Sequence, residues 1–182
     1  MSTMAAGPSP GGASAMPGPS FTVRRALDGD AEAIREIYNV EVTGSRVTFD
    51  LVPRSAEDHW AWMASHRGAY PVIVAVDEEG AVAGFASLSP YRPRPGYATS
   101  VEDSVYVSSD RRGLGLGRLL LESIVEMGAE HGFHSVIGRI VAEHEASIAL
   151  HKACGFELVG VEKEIGRKHG RWLSVAIMQR ML

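Results

Sequence analysis

Val101–Leu121 reads VEDSVYVSSDRRGLGLGRLLL, and a change of rhythm inside it decides the fold. Val101, Asp103, Val105 and Val107 alternate with Glu102, Ser104 and Tyr106, the period of two of a β-strand, which puts Glu102 and Tyr106 on the face opposite the valines. After Ser108, Ser109 and Asp110 the apolar residues fall at Leu116, Leu119, Leu120, Ile124 and Met127, the i, i+3, i+4 spacing of an amphipathic helix. Gly113, Gly115 and Gly117 occupy the changeover, where bare backbone can curl tightly and turn successive N–H groups toward an anion at the positive end of the helix dipole. Arg111, Arg112 and Arg118 add positive charge. The stretch therefore predicts a strand, a glycine loop and a helix that together hold a pyrophosphate or similar anion.

Spacing separates the rival phosphate-binding readings. A Walker loop needs GxxxxGK[ST], and no such lysine follows. A dinucleotide fingerprint needs GxGxxG, but Arg118 stands where the third glycine belongs, which leaves a nicotinamide-binding domain a distant rival. A glycine-rich turn ahead of an ordinary surface helix is the remaining alternative. Arg112, Gly115 and Gly117 fit [RQ]xxGx[GA], and in this the loop resembles the coenzyme A loop of the GNAT acyltransferases, strand and helix included.

At 182 residues the chain suits one domain with a substantial core. A net charge of -4 and a pI near 6.0 argue against nucleic acid as a partner, because the basic residues cluster locally instead of forming a basic surface. Cys154 is the only cysteine, so an internal disulfide is impossible, a cysteine-based zinc site is implausible and a reducing cytoplasm fits best. No transmembrane span or internal repeat is visible, and no membrane partner is expected.

Residues 1–20 hold Gly, Pro, Ala, Ser and Met without a charge or a run long enough for a signal-peptide core, and they read as a disordered leader before a domain over 21–182. Phe21–Ala26 reads as a strand, then Asp28 or Asp30 caps a helix carrying Ile34, Ile37 and Tyr38. Gly44–Pro53 is a loop bearing Phe49, and Ser55 with Asp58 resembles a capping box opening a helix whose Trp60 is expected in the core. Pro71–Val76 and Ala81–Leu88 are strands of a hairpin, and the three prolines of PYRPRP, Pro90–Pro95, require a loop. Beyond the glycine helix, Gly132 stops it, Ser135–Ile140 is a strand, Ala146–Cys154 a short helix, and Phe156–Glu164 and Arg171–Met178 are final strands separated by the turn GRKHG.

This order of elements, with RRGLGLGR and ASIALHKACGF, resembles the GNAT N-acetyltransferase superfamily over Phe21–Leu182. TFD, SVEDSVYV, SIALHKACGF and GRKHGRW resemble its phosphinothricin and methionine sulfoximine acetyltransferase group. The resemblance implies an α/β (α+β) GNAT fold, a mixed and mostly antiparallel twisted sheet flanked by helices and split around acetyl-CoA. It further implies direct acetyl transfer to the amine of a small amino-acid-like substrate, and a homodimer. His144 stands where members of the group carry asparagine, which puts that cofactor contact in doubt, and His151 stands where many GNAT enzymes have tyrosine.

The chemistry needs a base, because a lysine-like amine has an unperturbed pKa of about 10.4 and attacks a thioester only when neutral. Glu102 is the candidate by its place in SVEDSVYV, with an exposed strand carboxylate as the bland alternative and Asp103, on the opposite face, as the lesser base. By the same resemblance the Val107 amide donates to the oxyanion, though it could equally join a sheet ladder. His151 either protonates the leaving thiolate or is structural. Cys154 suits a small buried hydrophobe better than an acyl carrier, so direct transfer is expected. The cofactor contacts implied are Val105, Val107, Arg112, Gly113, Leu114, Gly115, Leu116, Gly117, Arg118 and Lys152. The substrate contacts implied are Phe49 beside Thr48, Arg92 and Arg94 as a carboxylate anchor, and Lys168, His169 and Trp172 from GRKHGRW. No metal is expected. The alternatives are acetylation of a peptide or protein amine, and a non-catalytic CoA-binding sensor.

Overall fold

The computed structural model describes residues 20–182, so the leader expected over 1–20 lies, save for Ser20, outside the described residues. Seven strands, β1 (Thr22–Arg25), β2 (Val72–Val76), β3 (Val82–Pro90), β4 (Ser100–Val107), β5 (Ser135–Val141), β6 (Glu157–Lys168) and β7 (Arg171–Met181), form one sheet in the order β1-β2-β3-β4-β5-β7-β6. Every neighbouring pair is antiparallel except β4 and β5, which run parallel because α3 (Leu116–Glu130) carries the chain across between them. The mixed, mostly antiparallel sheet expected from the sequence is therefore the architecture found.

The strands alternate between two cores. Ile73, Ala75, Ala86, Leu88 and Val101 meet Leu116, Leu120, Leu121 and Ile124 of α3, while Val72, Val74, Val76 and Phe85 meet Ile34, Tyr38 and Val42 of α1 (Ala31–Gly44). With both faces covered, β2 is buried at all five positions, which is why it reads as an unbroken apolar run. α4 (Glu145–Ala153) shares the α3 side, and α2 (Ala56–Ser65) packs against α1.

Several local expectations need correction. Leu119 is exposed; the buried stripe of α3 runs through Leu116, Leu120, Leu121, Ile124 and Val125. The Asp30 side chain does not cap α1 but accepts from the Leu27 amide and pairs with Arg24. Ser55 does accept from the Asp58 amide at 3.0 Å, yet Trp60 is exposed, and the buried members of α2 are His59 and, in part, Trp62. The last turn is shorter than GRKHG. Lys168 pairs with Arg171, so Gly166, Arg167 and Lys168 belong to β6, and His169 and Gly170, at φ 48° and 74°, make a two-residue turn whose positive dihedrals match strand twist.

Candidate active site

The parallel pair is the feature that creates a site. β4 and β5 stay paired only from Ser100↔Ser135 to Glu102↔Ile137, and beyond that they separate. Ser108 donates its amide to Ala83 of β3, so the alternation of a strand turns the amides of Val107 and Val105 the other way, into the gap that β5 has left.

Two cavities that share Val47, Val105, Tyr106, His144 and Ser147 in their walls occupy this gap. One, of about 450 Å³, runs along Val105, Val107, Arg112, Gly113, Gly115 and Gly117 to α4, where it meets Ala146, Ser147 and Leu150. Gly115 is the α3 N-cap at φ 82°, and Gly113 has φ 79°. Both stand where a side chain would meet no protein atom within 4 Å, so their backbone is bare to the groove and the first amides of α3 face an anion-sized space. Arg112 is exposed, lines the groove and bonds Glu41. This cradle fits the diphosphate end of a CoA thioester. Leu116 lines it as well, whereas Leu114, Arg118 and Lys152 are exposed and absent from its wall, Arg118 being paired with Glu122 at 2.8 Å.

The second cavity, of about 310 Å³, passes through the gap, because its wall includes Glu102, Arg139 and Phe49 from the α1 side and Asp103, Gly138 and His151 from the α4 side. Glu102 is half-buried, and that burial raises its pKa above the usual carboxylate range against the opposing charge of Arg139. His151 is buried, its Nδ1–H donates to the Ser147 carbonyl at 2.8 Å, and Nε2 meets Asp103 Oδ2 at 3.1 Å. Since a carbonyl only accepts, Nδ1 carries a proton and a second proton is shared between Nε2 and the carboxylate. Burial opposes the imidazolium, the Asp103 carboxylate outweighs it, and the His151 pKa is raised. Gly138 makes room for this pair: a Cβ there would stand 2.9 Å from the imidazole.

The loop between α1 and α2 walls the α1 side. Tyr38 Oη bonds Thr48 Oγ1 at 2.9 Å and donates to Asp50 at 2.5 Å, and Phe49 lies over Gly166, where a Cβ would collide with its ring. Lys168 does not line this cavity. It is buried and donates to the Thr48 carbonyl at 2.8 Å, so its ammonium ties this loop down, and burial lowers its pKa. Trp172 is exposed with Arg167 over its ring, and His169 Nε2 donates to the Ser45 carbonyl; neither lines the cavity. Arg92 and Arg94 are exposed and also stand outside the wall, although the charge of Arg92 reaches Glu102.

Sequence reasoning missed Arg139. The signal was present: a single cation in the apolar strand SVIGRIV, in phase with Ile137. Cys154 is buried at the end of α4, and burial raises its thiol pKa. Among the described residues no group of three His, Cys, Asp or Glu side chains is placed to hold a metal.

Comparison with known proteins agrees with this geometry. A methionine sulfoximine/methionine sulfone acetyltransferase of Pseudomonas aeruginosa is 38% identical over 161 residues, 88% of this chain and 94% of its own. A phosphinothricin N-acetyltransferase of Streptomyces coelicolor is 39% identical over 171 residues, 92% of this chain and 100% of its own. A solved GNAT superfamily phosphinothricin acetyltransferase from Sinorhizobium meliloti, in complex with acetyl-CoA, superposes with a TM-score of 0.86 at 43% identity, covering 89% of this chain and 88% of that one. With residues 31–156 also matching the acetyltransferase (GNAT) family, this chain belongs to that family and is an acetyl-CoA-dependent N-acetyltransferase.

Proposed function

We propose that the enzyme N-acetylates a small free amino acid of the methionine sulfone, methionine sulfoximine or phosphinothricin type by direct attack of its amine on acetyl-CoA. The observation that carries this reading is the cavity through the split sheet, whose wall includes Glu102 and shares Val105, Tyr106 and Ser147 with the groove. Its volume of about 310 Å³ suits a small molecule. An open groove for a peptide amine is not what Phe49 and its tied-down loop provide.

Acetyl-CoA supplies an activated acetyl thioester. Glu102 takes a proton from the acceptor ammonium, and burial suits it to the task by raising its proton affinity. The neutral amine attacks the carbonyl carbon, and the carbonyl oxygen gathers negative charge next to the Val107 amide, which the strand separation leaves without a β5 partner. On collapse the C–S bond breaks, the proton held between His151 and Asp103 goes to the thiolate, and the second proton of the attacking nitrogen leaves to solvent, from which the His151–Asp103 pair is reprotonated. Arg92 belongs to the rim of the acceptor site, where its charge acts on Glu102. The buried Cys154 takes no part.

A homodimer in a reducing cytoplasm completes the reading. In support, no described helix is long and apolar enough to cross a membrane, the sequence holds one cysteine, and the edge strand β6 exposes Leu158, Val159, Val161 and Ile165. The test is thiol release with methionine sulfone, methionine sulfoximine and phosphinothricin, comparing wild type with Glu102→Gln. Turnover with at least one acceptor, and a loss of about 100-fold or more in kcat for the variant, is expected. Near-wild-type turnover of Glu102→Gln at every pH would remove the base assignment, and turnover confined to peptide amines would remove the acceptor class.

A further inference from the structure

The acceptor cavity holds one guanidinium, that of Arg139, which takes no part in the proton transfers. We propose that Arg139 is the anchor for the acceptor's α-carboxylate, and that Glu162 occupies that anchor until the acceptor displaces it. This inference rests on the amino-acid acceptor proposed above and names the group that recognises it.

Register fixes the geometry. Glu102 pairs with Ile137, so Arg139, two residues further along β5, projects from the same face of the sheet as Glu102, beyond the last rung of the parallel pair. A carboxylate and a guanidinium thus face one space across the gap where the acetyl group must arrive. An α-amino acid carries its ammonium and carboxylate on one carbon, and it is the smallest molecule that offers a positive and a negative end to such a pair. A peptide N-terminus or a lysine side chain offers only the first.

The other cations are accounted for. Among the residues that wall this cavity, Arg139 is the sole Lys or Arg. Lys168 is committed to backbone carbonyls, and Arg92 and Arg94 stand outside the wall. Arg139 lies in a strand that is buried at its six other positions, where a charged side chain is costly unless it is paired. Its partner is Glu162 on the edge strand, which accepts from Nη2 at 2.7 Å, with side-chain exposures of 27% and 36%. Both side chains keep access to solvent, so an incoming carboxylate can exchange for Glu162 without leaving the guanidinium unpaired. The guanidinium keeps further donors for a two-pronged contact.

The experiment measures kcat and KM for methionine sulfone and for its carboxamide, in wild type, Arg139→Leu, Arg139→Lys and Glu162→Gln. Reading the acid-to-amide ratio of kcat/KM, and its change between variants, cancels the difference in amine basicity between the two acceptors. We expect Arg139→Leu to lower this ratio at least tenfold, mainly through KM of the acid, with KM for acetyl-CoA unchanged. Arg139→Lys should restore part of it, and Glu162→Gln should lower KM of the acid, a gain that a merely structural ion pair would not give. An acid-to-amide ratio in Arg139→Leu equal to that of wild type overturns the assignment. If that variant does not fold, a Glu162→Gln enzyme whose KM for the acid is unchanged or higher overturns it equally. Acetylation of neither acid nor amide by the wild type, with other amines turned over, would instead remove the acceptor class and this inference with it.

Discussion

Three buried titratable side chains of this protein have different fates because their neighbours differ. Lys168 has two backbone carbonyls, His151 has a carboxylate and a carbonyl, and His59 has no hydrogen-bond partner on either ring nitrogen. For His151 the consequence is catalytic. His151→Ala should lower kcat by about 100-fold while the acetyl-CoA Kd, measured by calorimetry, stays within a factor of about two. Asp103→Asn should move the alkaline limb of kcat to lower pH, since the Asp103 carboxylate is what raises the imidazole pKa. An unmoved limb would separate the pair from the chemistry. For His59 the consequence is stability. Burial, with the charges of Arg54 and Arg35, pushes its pKa down to about 4 from the ordinary 6.5. The folded value is the lower one, so the native state favours the neutral ring: the contribution is full above about pH 6.5 and is lost as pH falls toward 4. Between pH 7 and 4.5 urea unfolding should therefore show a loss on the order of 2 kcal/mol that His59→Phe lacks. Equal pH slopes for both proteins would contradict this.

The glycine loop tests how far one element separates binding from folding. Gly115 needs a left-handed conformation but has open space around it, so asparagine, which tolerates that conformation, keeps the fold and intrudes on the groove. Gly115→Asn should cost no more than about 1 kcal/mol of stability and weaken acetyl-CoA binding at least tenfold. Unchanged affinity in the folded variant would detach the loop from the cofactor. This element was legible in the sequence because everything it needs is local: alternation, three glycines, then helical spacing. The same holds for the Ser55 cap and the β2–β3 hairpin. Lys168 was not legible, because its burial depends on the β6–β7 register and on a loop 120 residues away. The turn was read as five residues because the pairing of Lys168 with Arg171, which leaves only His169 and Gly170 to turn, is set by the β6–β7 ladder and not by local sequence. Arg139 escaped for a related reason: β5 looks like core, and only its parallel pairing with β4 shows that one position opens onto a cavity.

At the scale of the molecule, one edge of the sheet is open and apolar. β6 is an edge strand of twelve residues, and it exposes Val161 and Ile165 together with Leu158 and Val159. Sedimentation should find a dimer for wild type and a shift toward monomer for the double variant Val161→Lys, Ile165→Lys. A monomeric wild type would remove the dimer from the proposal.

The short parallel seam has a mechanical side too. β1–β4 and β5–β7 are each laced by antiparallel ladders, but only three strand-paired positions join one half-sheet to the other, with α3 and side-chain contacts such as His151–Asp103 and Lys168–Thr48 as the remaining bridges. The molecule is thus a book with a short spine, and its pages part at the end where the ligand enters. Amide exchange should be fastest along the inner edges of β4 and β5 past Glu102 and Ile137, and a bound ligand, by touching both pages, should slow it there more than anywhere else in the sheet.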